Sequence, residues 1–185
     1  MKSIYFVILI VLLASCKGNT EAPVATAPSH KQSVKADSSS KDLNQTSSKS
    51  EVLFENENFT KIYKAYLDVK ASLVNTNEEA SATAAHTLFM LLKDIKSYKE
   101  IYDAALPFTE ATSVKERRKI FEGISNVMES QIEQETIISG TIYKQYCPMA
   151  FNGKGAYWLS DSKEVRNPYF GDQMLKCGVV DRTID

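Results

Sequence analysis

Two short sulfur-bearing stretches carry the chemistry in this sequence. Cys147-Pro148-Met149 sets a thiol and a thioether two positions apart across a rigid residue, and Met174-Leu175-Lys176-Cys177 sets a second thioether and thiol at i and i+3. On a helix those last two positions share a face, so they would act together. Cysteine thiolate and methionine thioether are soft ligands that favour Cu(I) and similar ions, and the two pairs brought together would supply up to four sulfur atoms. A structural zinc site draws on four Cys or His ligands, and this region has no histidine. The same cysteines also suit a Cys147–Cys177 disulfide, with Met149 and Met174 as core filling. Closing that loop would contribute ~3–4 kcal/mol in the chain-entropy picture, and the residues alone lean slightly this way. The sulfur separation discriminates. Bonded sulfurs stand about 2.05 Å apart, whereas roughly 3.5–4 Å with converging methionines would fit two bonds to one ion.

These residues need elements to position them. Phe59, Ile62, Tyr63, Tyr66, Leu67 and Leu73 follow three-and-four spacing, which predicts a first helix from about Asn58 to Val74. Thr76 with Glu79 reads as a capping box opening a second helix to about Tyr98, with Ala84, Leu88, Leu91, Leu92 and Ile95 inward. The stretch from Ile101 to Leu106 extends that helix or forms a short extra one, and Leu106-Pro107-Phe108 reads as a turn. Ser113 with Glu116 opens a third helix to about Gln134, carrying Ile120, Phe121, Ile124, Val127, Met128 and Ile132 inward. Such stripes can be buried only against one another, which predicts a mainly α fold: an up-down bundle of three to four helices. Beyond Thr136 the pattern changes. Ile137 to Tyr146 reads as a strand, Asn152-Gly153-Lys154-Gly155 as a turn, and Ala156 to Leu159 as the returning arm of a hairpin. Asn167-Pro168 reads as the start of a short helix to Met174 or Lys176, closed by Gly178 and followed by a last strand from Val179 to Ile184. The sulfur pairs therefore sit on a small β-hairpin and short-helix segment, residues 136–185.

The start of the chain has a different task. Lys2, the apolar run Ile4 to Leu13 and then Leu13-Ala14-Ser15-Cys16 resemble a bacterial lipoprotein signal, with residues 1–15 removed and Cys16 lipidated. The run falls short of the about 20 apolar residues a transmembrane helix needs. Residues 16–50 are rich in Ser, Lys, Ala and Thr and carry no aromatic residue, as expected of a disordered tether. One domain follows over 51–185. The expected location is the cell envelope, anchored through lipid to a membrane and facing the periplasm or the cell surface. With 22 basic and 23 acidic residues and a net charge of −1, the chain lacks the concentrated positive charge of a nucleic-acid binder. The Lys115 to Lys119 cluster reads as a solvated helix start. Only His30 and His86 are present, the first in the tether and the second read as half-buried on helix two. With no supported Ser/His/Asp arrangement, no phosphate loop and no Cys-x-x-Cys, an enzyme is not expected.

Three stretches support a family resemblance: Tyr146-Cys147-Pro148-Met149-Ala150, Gly155-Ala156-Tyr157-Trp158-Leu159-Ser160, and Asn167-Pro168-Tyr169-Phe170-Gly171-Asp172 with Met174-Leu175-Lys176-Cys177-Gly178. Together they resemble a family of uncharacterised exported domains, found as lipoproteins and attached to heavy-metal efflux adaptor proteins. The Tyr-Cys-Pro-Met element also resembles the small heavy-metal-binding domain of copper-transporting ATPases. That domain has His after Cys-Pro-Met, where this chain has Ala150, and an extra Cys before its Cys-Gly, where this chain reads Met174-Leu175-Lys176-Cys177; some relatives carry His where this chain has Ile120. The resemblance implies Cu(I) or Ag(I) held by Cys147, Met149, Met174 and Cys177, for buffering or handover to efflux components. The alternative is a disulfide-stapled adaptor domain that binds another envelope protein.

Overall fold

The computed structural model describes Thr46 and residues 49–185. They belong to the second of two units into which the chain divides, Ser39–Asp185. The signal segment, Cys16, His30 and most of the tether lie outside the described residues. Among the described residues no helix is long and apolar enough to cross a membrane.

Asn56 opens α1 (Glu57–Val74) by accepting hydrogen bonds from the Asn58 and Phe59 amides, as an N-cap should. Most residues of this helix are buried, because α2, α4, β1 (Leu53–Phe54) and the C-terminal sheet surround it. Thr76 closes it instead of opening the next helix. Its backbone is left-handed (φ 52°), its N–H bonds Leu73 O, and the Asn77 N–H bonds Ser72 O. That is the Schellman pattern with threonine where glycine is usual. Asn77 then caps α2 (Glu78–Leu92) through Ala80 N–H. The expected Thr76–Glu79 box is corrected accordingly: a residue committed to ending one helix cannot cap the next.

α2 stops at Leu92, short of the expected Tyr98. Ile95 is extended, and a 3-10 turn (Lys96–Tyr98) drives Tyr98 into the core. A separate α3 (Lys99–Glu110) follows, and Pro107 lies inside it rather than in a turn. The bond that proline removes would have gone to Asp103, on the exposed face, where water can replace it. Ile101, Ala105 and Phe108 hold the other face in the core. Ser113 caps α4 (Val114–Ile132) at Glu116 N–H, while the Glu116 carboxylate accepts from the N–H and hydroxyl of Thr112. Consecutive helices pack side by side and α4 closes on α1, which gives the up-down bundle. The fold is mainly α with a C-terminal β segment.

The long strand expected over 137–146 is two strands in two sheets. β2 (Ile137–Ser139) pairs with β1, and β3 (Ile142–Cys147) is the centre of a second, antiparallel sheet of order β4-β3-β5. Gly140 makes the break at φ 83°, where a Cβ would stand 2.8 Å from the Val52 Cα. β4 (Ala156–Ser160) returns from β3 as the expected hairpin, and β5 (Val179–Ile184) is the expected last strand. Before β5, the anticipated helix is only a turn and one 3-10 stretch, Gly171–Gln173.

α1 and β4 meet at a buried ion pair. The Lys70 ammonium, 1% exposed, donates to Ser160 Oγ at 2.8 Å and lies 3.5 Å from Asp161 Oδ1. Burial pulls its pKa down, against the opposing pull of Asp161. Breaking such a pair from one side costs more than replacing it by apolar packing. Asp161→Ala should therefore destabilise the domain by about 3–5 kcal/mol. The double variant Lys70→Met, Asp161→Ala, which replaces both partners, should cost far less than Asp161→Ala alone, or even stabilise. Urea unfolding of the two variants gives the comparison, and equal losses would contradict this account.

Candidate metal centre

Cys147 is the last residue of β3, paired with Ala156 across the hairpin, and is fully buried. β5 runs antiparallel on the other side of β3, with Val179 opposite Tyr146. That register brings the chain just ahead of β5, including Cys177, to the end of β3. Both cysteines are free, and their sulfurs are 3.0 Å apart. This lies between the bonded distance and the gap expected for two ligands of one ion.

Asn167 fixes the Cys177 segment. Its side chain is wholly buried, and its amide nitrogen donates to Cys177 O at 2.7 Å. The amide oxygen accepts from the Tyr169 and Phe170 N–H groups. Its backbone N–H donates to Leu175 O, and its own carbonyl accepts from Gly171 N–H. Asn167 does cap, as its sequence context suggested, but it caps a turn. Gly178 completes the close approach. Its φ is 144°, and a Cβ there would meet Tyr146 O at 2.8 Å and the Trp158 ring at 2.9 Å, so only glycine lets this backbone lie against β3.

Met174 and Cys177 do not share a helix face. Met174 is extended in φ (−147°, ψ 53°), and the Cys177 N–H bonds Met174 O within a turn. The four sulfur residues are thus brought together as two pairs. The thiols face each other at the end of β3. Met149, 54% exposed, and half-buried Met174 both line an adjacent cleft of about 1000 Å³, with Phe151, Phe170, Lys115 and Arg118 among its other walls. The Cys177 thiol is held above the ordinary cysteine range, first by its contact with Cys147 and then by burial, with the Met149 N–H opposing. Aromatic rings wall the thiol side: Trp158 and Phe151 pack edge-on against Tyr169, which in turn contacts Phe121.

His86 is exposed on α2 rather than half-buried, and the C-terminal segment does not fold over it. Among the described residues no group of three or more His, Cys, Asp and Glu side chains could hold a metal ion, so any ion here would depend on sulfur. Sequence reasoning missed two features. One is the Asn167 pin, for which the only signal was its place before Pro168. The other is the placing of Lys115, Arg118 and Lys119 beside the methionines, which the local sequence cannot reveal.

A family model described as a protein of unknown function (DUF3347) matches residues 62–140, less than half of the chain. The matched part runs from within α1 to Gly140, just before β3. The sulfur-bearing segment lies outside it. No curated protein matches the chain, and no solved structure matches it.

Asn167→Asp keeps the side-chain shape but replaces the donor to Cys177 O by an acceptor. It should destabilise the domain by about 1–3 kcal/mol, read from denaturant midpoints. It should also speed alkylation of the Cys177 thiol, read by mass spectrometry of timed maleimide labelling. Unchanged labelling would mean that Asn167 does not hold Cys177 in place.

Proposed function

We propose that this protein is a lipid-anchored envelope module that binds a soft monovalent ion, Cu(I) or Ag(I), between the Cys147 and Cys177 sulfurs. The observation that carries this reading is the meeting of two free thiols, from positions 30 residues apart, beside a cleft lined by two methionines. Thiolate and thioether are the donors such ions prefer, while harder cations want oxygen ligands the site lacks. Two metal–sulfur bonds of about 2.3 Å at an open angle hold sulfurs farther apart than they stand here. Loading would therefore part the thiols slightly, with the half-buried Cys177 on its turn yielding more readily than Cys147 in the sheet. Met149 and Met174 would meet the ion on the cleft side, on its way in or out toward efflux components. The lipid anchor rests on Leu13-Ala14-Ser15-Cys16.

The same closeness favours a second reading: the thiols oxidise to a disulfide, and the domain is a stapled adaptor. Metal binding and oxidation would compete for one pair of sulfurs. Thiol counting on protein taken directly from the envelope separates them, since a pair protected by metal and a pair already oxidised give opposite results after chelation.

Titration of reduced protein with Cu(I) against a chromophoric chelator tests the first reading. Cys147→Ser and Cys177→Ser should each weaken binding by more than the ~10–100-fold that loss of an outer partner causes. Met174→Leu should weaken it less. Equal affinity in wild type and a Cys147→Ser, Met174→Leu double variant would end this reading. The pH dependence has a definite sign. A thiol held above its ordinary range is protonated at neutral pH, so the ion must displace a proton. Apparent Cu(I) affinity should therefore rise with pH from 6 to 8.5, measured by the same competition.

A further inference from the structure

The cleft beside the thiols has chemistry that metal binding alone does not use. One wall is the first two turns of α4, where Lys115, Arg118 and Lys119 line the space. Lys115 and Lys119 are exposed, and among the described residues neither has an ion-pair partner. Neighbouring Glu116 does not neutralise them, because its carboxylate is turned back onto Thr112. Arg118 is spent on structure: it donates to Pro168 O, Leu73 O and Thr76 Oγ1, with Asp172 nearby. Two unneutralised lysines thus flank one side of a cleft in a chain whose net charge is −1.

The other wall is apolar and held under strain. Phe151 (φ 51°, ψ 50°) and Asn152 (φ 60°, ψ 39°) are consecutive left-handed residues without the freedom of glycine. Such backbone persists only where its surroundings over-determine it, and it gathers at functional sites. Here the Tyr169 ring, 5.2 Å away and edge-on, holds Phe151, and the Gly155 N–H to Ala150 O bond closes the turn. Phe151, one side against the core, and the exposed Met149 both line the cleft.

We propose that this cleft docks an acidic segment of a partner protein that carries a thioether, its carboxylates on Lys115 and Lys119 and its apolar side chain against Met149, Phe151 and Phe170. The inference rests on the soft-metal reading for the thioether, which would give a departing ion its next ligand. It rests on the charge and apolar surface of the cleft for everything else. A small anion would use the lysines but leave the apolar wall bare, and an uncharged peptide would do the reverse.

The test is fluorescence anisotropy with a labelled Asp-Glu-Met-Asp-Glu peptide and the whole protein, without metal. Binding should weaken with salt and fall about tenfold in a Lys115→Gln, Lys119→Gln variant. Both lysines are exposed, and a circular dichroism melt checks that the variant stays folded. The proposal is overturned by equal binding of an Asn-Gln-Met-Asn-Gln peptide, by equal binding of an Asp-Glu-Ser-Asp-Glu peptide, or by an unchanged double variant. Complete displacement by millimolar inorganic phosphate also overturns it, since the cleft is then an anion site. A Cys147→Ser, Cys177→Ser protein should still dock the peptide. Docking kept in wild-type protein that takes no Cu(I) would sink the metal reading alone and leave this one standing.

Discussion

The hydrogen bonds of one buried side chain, Asn167, hold the candidate site together. The chain between β4 and β5 has almost no regular structure, so its backbone polar groups need partners from elsewhere. Asn167 supplies several at once, accepting from Tyr169 and Phe170 N–H groups and donating to Cys177 O. An amide can do this because it donates and accepts in one plane, which neither Asp nor Ser can match. With Cys177 O tied down and Gly178 pressed onto β3, the Cys177 sulfur has little choice but to face Cys147.

Both partners of that contact are set by strand register. Cys147 ends the central strand, and β5 arrives antiparallel from the other side. The sheet is in turn fixed to the bundle through its β4 edge, where Leu159 N–H donates to the buried Tyr66 hydroxyl and Lys70 reaches Ser160 and Asp161. Tyr66 also stacks on Phe121 at 5.2 Å, which leads on to Tyr169 and Trp158. A continuous line of rings therefore runs from the first helix to the wall of the thiol pair, and displacement at one end would be felt at the other.

What was legible in the sequence was what repeats. The three-and-four stripes of α1 and α4 are strong because their large apolar residues all meet the core, and the hairpin of β3 and β4 announced itself through the Asn152-Gly153-Lys154-Gly155 turn between β-branched and aromatic stretches. Boundaries failed where one residue served a tertiary need. Thr76 looked like a cap by type, yet its left-handed backbone closes α1 and its hydroxyl serves Arg118 from α4, a residue 42 positions away. Pro107 looked like a stop, yet packing of Ile101 and Phe108 outweighs one missing hydrogen bond on a wet face. At the site, the types and spacing of the four sulfur residues were readable. Their division into a thiol pair and a cleft pair was not, because it depends on Met174–Cys177 being a turn instead of a helix.

The seam between α1 and β4 bears on how such domains can be recombined. The stretch shared with the matched family begins inside α1 and ends before β3, yet the inner surface of that stretch includes a phenol, an ammonium and a stacked ring pair that β4 and its neighbours cover. A lysine at position 70 is tolerable only under a lid bearing a carboxylate and a hydroxyl. The helices are thus not an interchangeable module to which any tail can be grafted. A descendant that exchanged its sulfur-bearing tail for another would have to inherit an equivalent acidic cover, or give up the lysine in the same step.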